Sequence, residues 1–189
     1  MKTRTKPLHL FNYNRFKEPA VKVNENYMQW ELFTKKAVLR LVEFDEREIF
    51  TFGYEIPLGE VQTEQKTIDL VAYDNNMNLY IIELKLKLGS GTANSAALQV
   101  NTYAKELIKN APKINEAFQE ELGKDWLIKE PFQKIVLAPR SFFNHKRKPD
   151  TVESKDVLYL TFKQCDEYKG LESVISEDGF VDLIEYKWK

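Results

Sequence analysis

The sequence predicts an α/β protein in which a central mixed sheet is flanked by helices. Three observations carry this. Apolar residues recur at helical spacing in two stretches, residues 27–44 and 94–110. Two β-rich runs flank an Asn-rich turn within residues 67–87, which is a hairpin signal. Further apolar runs over residues 133–139 and 157–162 read as buried strands. Helices and strands in that order imply a sheet with helices packed on it.

Each element follows from its residues. Residues 1–25 carry Pro7 and Pro19 among scattered aromatics and basic residues, and read as an irregular N-terminal arm ahead of a single domain, 26–189. Trp30, Phe33, Ala37, Val38 and Leu41 give the first helix its stripe, with Asn26 as its N-cap. Phe50, Phe52, Tyr54 and Ile56 alternate as a strand does, and Pro57 and Gly59 end it. Gly89 to Thr92 is a flexible connection into the second helix, whose stripe is Ala97, Val100, Ala104 and Leu107. Pro112 interrupts that helix, and residues 114–122 form a short continuation. Residues 141–156 are polar and basic and read as a loop. Residues 165–175 read as a short helix and 181–188 as a last strand or tail. The order is αβββαβ plus a C-terminal strand.

Composition narrows the class. With 189 residues and 43% hydrophobic content, the chain can bury one core of ordinary size. A formal net charge of −1 argues against a polycation, although basic charge can be concentrated on one face. The single Cys165 excludes an internal disulfide and a Cys-cluster zinc site, and His9 and His145 are too few for a histidine-rich one. No apolar run is long enough to span a bilayer, and no apolar segment follows the basic N-terminus, so no membrane partner and a cytoplasmic location are expected.

The hairpin carries the chemistry. Ile68-Asp69-Leu70-Val71-Ala72 and Leu79-Tyr80-Ile81-Ile82-Glu83-Leu84-Lys85 place three charges inside apolar strands. Buried charges are paired or bind metals. Glu83 and Lys85 share a face. If the hairpin pairs symmetrically about Asn76, Asp69 lies opposite Glu83, with Cβ atoms roughly 4.5–5.5 Å apart. Two carboxylates at that separation can share one divalent cation.

Asp69, Glu83-Leu84-Lys85 and Gln99-xxx-Tyr103 together resemble the PD-(D/E)xK nuclease superfamily, in particular its RecB-type and NucS-type catalytic domains. The resemblance spans residues 28–165. It implies a restriction-endonuclease-like core and a Mg²⁺-dependent (or Mn²⁺-dependent) DNA endonuclease, with DNA as partner and a homodimer as a plausible assembly. It implies that Asp69, Glu83 and the Leu84 carbonyl hold the metal, and that Lys85 orients the attacking water or stabilises the phosphate. Gln99 and Tyr103, one helical turn apart, would orient Lys85 or touch a phosphate. Glu31 would add a first-helix carboxylate, in competition with Glu43 and preferred by its spacing to the first strand. Arg140, Lys146, Arg147 and Lys148 form the densest basic stretch and would track a phosphate backbone, or would be a solvated loop. The competing functions are a catalytically silent nucleic-acid-binding or assembly module, and a structural protein in which Lys85 merely neutralises Asp69 and Glu83.

Overall fold

A computed structural model describes residues 18–21, 24–58, 67–86, 91–122, 128, 130–144 and 146–188. Most of the expected N-terminal arm, and His145, lie outside the described residues.

The first helix, α1, is Glu25–Thr34, and its N-cap lies two residues before the one expected at Asn26. Asn24 caps it instead, its side-chain oxygen accepting the Tyr27 N–H at 2.7 Å. The helix stops well short of Phe44. Lys36 takes a left-handed conformation, φ 51, and Val38–Leu41 forms a strand, β1. Val38 and Leu41 are three apart, a spacing that suits a helix, but over four residues periodicity does not decide between helix and strand. Long-range pairing decided it.

Four strands then follow almost as expected, and β1 alters what they build. They are β2 (Arg47–Pro57), β3 (Thr67–Asp74), β4 (Leu79–Leu84) and, after the second helix, β5 (Phe132–Leu137). The last two are β6 (Val157–Phe162) and β7 (Val181–Glu185). β1 pairs antiparallel with β2, Val38 opposite Phe50, and parallel with β7, Arg40 opposite Asp182. The seven strands therefore close into a mixed barrel in chain order. This corrects the expected open, restriction-endonuclease-like sheet flanked by helices. The missed strand β1 is the one that joins the two edges. Three helices accompany the barrel among the described residues, and one of them, α3 (Arg140–Phe143), is a single turn in the stretch expected to be a loop. The expected helix over 165–175 is reduced to a 3-10 turn at Leu171–Ser173.

The second helix, α2, runs without a break over Ala93–Leu122, with Pro112 inside it. A mid-helix proline costs roughly 3 kcal/mol. The buried stripe continues past it through Ile114 and Ala117, and Pro112 itself faces solvent, so packing offsets the lost hydrogen bond.

The core has two parts. α2 lies outside the barrel against β3, β4 and β5, where Val100, Leu107 and Ile114 meet Val71, Ile81 and Val136. The other cluster fills the barrel and includes Leu41, Leu70, Ile82, Leu137 and Phe162, joined by Met28 and Leu32 of α1. All six residues of β4 are buried, because this strand has α2 on one face and the barrel interior on the other.

The β1–β7 seam is fastened by ions. Arg40 Nε donates to Asp182 Oδ1 at 2.6 Å, and Asp182 is 2% exposed. The same guanidinium pairs with Asp178 at 2.6 Å and lies over the Phe180 ring at 4.5 Å. Removing one partner of a buried pair strands the other charge. Asp182→Ala is expected to lower unfolding free energy by about 3 kcal/mol, read as an earlier midpoint in urea; an unchanged midpoint would show that closure does not depend on this pair.

Candidate functional site

The turn between β3 and β4 is built by one carboxylate. Asp74 Oδ1 accepts the backbone N–H groups of Asn76 and Asn78, each at 2.9 Å. Its Oδ2 takes the Asn78 side-chain amide at 2.8 Å and the Tyr80 hydroxyl at 3.0 Å. Met77, at φ 62, makes the left-handed step. This fixes the ladder, in which Leu70 pairs with Ile82 and Tyr73 with Leu79. One step further along the same register sets Asp69 opposite Glu83, as symmetric pairing about Asn76 predicts.

Asp69, Glu83 and Lys85 are all buried, at 9%, 1% and 7% exposure. Asp69 Oδ2 accepts the Leu84 N–H at 2.7 Å. Lys85 Nζ donates to Glu83 Oε1 at 2.5 Å. Glu83 Oε2 has no hydrogen-bond partner among the described residues. Leaving a buried acceptor unpaired costs about 1–3 kcal/mol, more for a charged one.

The electrostatics are those of a crowded acidic site. Burial, and then the Glu83 charge, hold the Asp69 carboxyl well above its ordinary range, against the Leu84 N–H and Lys85. Burial pushes Glu83 up to about 7, with Lys85 opposing. Burial works to lower Lys85, but the Glu83 carboxylate outweighs it and the ammonium is held above its ordinary value.

α2 brings its two predicted residues to this place. Gln99 Nε2 donates to the Tyr103 hydroxyl at 2.9 Å. Tyr103 is buried and raised, by desolvation first, with the charges of Glu83 and Asp69 adding to the effect. Asp69 and Glu83 share strand parity with Val71 and Ile81, the residues packed under α2.

The first helix contributes differently from expectation. Glu31 Oε2 accepts the Tyr168 hydroxyl at 2.7 Å and the Leu171 N–H at 3.0 Å, while Oε1 takes Lys35 Nζ at 2.7 Å. Burial would raise its pKa, but these bonds more than offset that and lower it. Its partners are Leu171 at the start of the 3-10 turn after β6, Tyr168 just before that turn, and Lys35 at the C-cap of its own helix. Glu43 accepts the Glu185 N–H at 2.7 Å and pairs with Lys187. The α1 carboxylate at Lys85 is Glu25. Its Oε2 lies 3.8 Å from Lys85 Nζ and its Oε1 accepts the Leu86 N–H at 3.2 Å. Sequence reasoning placed Glu25 in the arm. Asn24 as an N-cap would have put Glu25 in the first helical turn, where acidic residues are favoured.

The basic stretch is divided in its roles. Arg140 pairs with Asp166 at 3.5 Å. Lys146 bonds the Gly91 carbonyl and lies over the Phe142 ring at 4.3 Å, which ties this loop to the start of α2. Arg147 and Lys148 are exposed.

Among the described residues, no group of three or more His, Cys, Asp or Glu is arranged to hold a metal. Mg²⁺ needs fewer, since it keeps several waters and takes one or two carboxylates. Asp69 and Glu83 supply those, with hard oxygen donors and one orphaned atom, so the residues present fit such an ion.

The two raised carboxyls predict a pH dependence. Between about 4.5 and 7 the folded state binds more protons than the unfolded chain, so stability falls as pH rises through that window. Asp69→Asn is expected to flatten the fall and to melt higher than wild type at pH 8. Parallel melting curves at pH 5 and pH 8 for the two proteins would contradict this.

Comparison with family models, with curated proteins and with solved structures found no match, so the functional reading rests on the local constellation.

Proposed function

We propose that this chain hydrolyses phosphodiester bonds in DNA with Mg²⁺ or Mn²⁺, as an endonuclease. The observation that carries the reading is Glu83, fully buried opposite Asp69, with one oxygen on Lys85 and the other unpartnered. The likeness of Asp69, Glu83-Leu84-Lys85 and Gln99-xxx-Tyr103 to the PD-(D/E)xK pattern supports it. That likeness is local, because the closed barrel departs from the open sheet of that superfamily.

Asp69, Glu83 and the Leu84 carbonyl would hold the cation. When bound, it supplies Lewis acidity and lowers the pKa of a coordinated water. The Leu84 N–H holds Asp69 in place for this role. Lys85 presents a buried ammonium beside Glu83, where it stabilises negative charge growing on a phosphate. Gln99 fixes the Tyr103 hydroxyl, which can then bond Lys85 or a phosphate oxygen. Exposed Arg147 and Lys148 sit on the loop that Lys146 ties to the start of α2, and they would follow the DNA backbone. A cytoplasmic location suits this substrate, and no described helix is long and apolar enough to cross a membrane.

A second reading is favoured by the Lys85–Glu83 pair, which already neutralises a carboxylate that is 1% exposed. On that reading the chain is a structural protein in which Lys85 merely neutralises Asp69 and Glu83, and it would cut no DNA and gain no thermal stability from Mg²⁺.

Cleavage of plasmid and of single-stranded DNA separates the two. With Mg²⁺ or Mn²⁺, wild type is expected to cut, and Asp69→Ala and Lys85→Ala to lose roughly 100-fold or more of the rate. Equal rates in all three would sink the proposal. Millimolar Mg²⁺ is also expected to raise the melting temperature of wild type and leave that of Asp69→Asn unchanged.

A further inference from the structure

The Lys85 ammonium meets two carboxylates, and they come from different elements. Glu83, on β4, lies at 2.5 Å. Glu25, in the first turn of α1, lies at 3.8 Å. An acidic residue in a first turn favours the helix macrodipole wherever the helix sits, so its presence there assigns it no role. Its contacts do. Glu25 Oε1 accepts the Leu86 N–H at 3.2 Å, while Oε2 faces Lys85 Nζ. One carboxylate therefore holds both the backbone just after Lys85 and the tip of the Lys85 side chain.

A lysine ammonium is a point charge on a flexible four-carbon stem, so a single partner does not fix where it sits. Glu83 alone would draw it onto a carboxylate whose side chain is 1% exposed. The Glu25 side chain is 28% exposed and marks the side of the ammonium nearer solvent. With both partners, the charge stands between the floor of the site and its rim.

We propose that Glu25 is a positioning residue for Lys85: anchored on the Leu86 N–H, it holds the ammonium on the outer side of Glu83, in place to meet a phosphate. The inference rests on the reading of Lys85 as the group that stabilises phosphate charge. It gives Glu25 no part in holding a cation, which stays with Asp69 and Glu83.

Glu25→Gln separates the two jobs of this carboxylate. The amide oxygen still accepts the Leu86 N–H, but the charge beside Lys85 is gone. Three properties of the full chain are measured: metal-free melting, calorimetric Mn²⁺ binding without DNA, and Mn²⁺-dependent cleavage of plasmid or single-stranded DNA with kcat and KM resolved. Glu25→Gln should melt no lower than wild type, bind Mn²⁺ within about threefold of it, and lose about 10-fold in kcat, the scale of a misplaced catalytic group. In a Lys85→Ala background the same substitution should cost nothing further, because its effect passes through the ammonium. An unchanged kcat, or an equal loss with and without Lys85, would overturn the role of Glu25 alone. So would Mn²⁺ binding weakened about 10-fold or more, which would make Glu25 a cation ligand. A kcat loss accompanied by a lower metal-free melting temperature would make it a residue of the fold instead. No cleavage by wild type, or cleavage by Lys85→Ala at the wild-type rate, would overturn this inference together with the reading beneath it.

Discussion

The pairing of β1 on both its edges is the constraint on which this structure depends. Without those four residues the strands from β2 to β7 would make an open sheet with two exposed edges. With them, the apolar cluster around Leu41, Leu70, Ile82 and Phe162 is enclosed on every side. Arg40 and Asp182 face each other across the closing seam, which explains why so buried a carboxylate is tolerated there. Closure also fixes α1. Only Lys35, Lys36 and Ala37 separate the helix from β1, and the left-handed Lys36 makes the reversal. The helix is thereby held against the barrel with its first turn at Lys85.

A second constraint acts locally. Asp74 uses both oxygens to build the β3–β4 turn, and the turn sets the register. Slipping the register by one residue would send Asp69 and Glu83 to opposite faces. The neighbouring strand adds its own distortion. In β2 the ladder shifts between Thr51 and Gly53, and the Ile56 side chain folds back to within 2.8 Å of where a Cβ on residue 53 would lie. Glu55, opposite Asp69 in this ladder, is left-handed at φ 47. Tyr54 and Leu70 pack into the barrel, whereas Ile56 and Ile68 pack with α2. Asp69 thus sits where the simple alternation of faces gives way, and strain of this kind collects at functional sites.

The hairpin was legible in the sequence because its signals are local. Charges inside apolar strands and an Asn-rich turn all lie within about twenty residues. Gln99 and Tyr103 were legible because one helical turn brings them together wherever the helix goes. The barrel was not legible, since closure depends on Leu39 meeting Val181, a pairing that no nearby residue announces. Pro112 misled for the opposite reason: its local cost is real, and the buried stripe that overrides it needs the barrel to pack on. The carboxylate of α1 was missed by a few residues of helix boundary. That boundary is set by Asn24, which puts Glu25 in the first turn at Lys85, whereas Glu31, preferred over Glu43 by its spacing to the first strand, bonds Tyr168, Leu171 and Lys35.

The site that results holds more negative charge than its surroundings can stabilise. Glu25, Asp69 and Glu83 converge on one ammonium, and the two strand carboxyls respond by holding protons above their ordinary range. A structural ion pair would not need this excess, because Lys85 and Glu83 alone would balance, and a neutral Asn at position 69 could accept the Leu84 N–H as well as Asp69 does. On the proposed reading, Asp69 and Glu83 would hold a divalent cation whose charge would offset this surplus, with Lys85 beside them to meet a phosphate. On this view the loss of stability expected as pH rises and the chemistry proposed with metal have one origin: two carboxylates fixed opposite each other by a turn that neither of them helps to form.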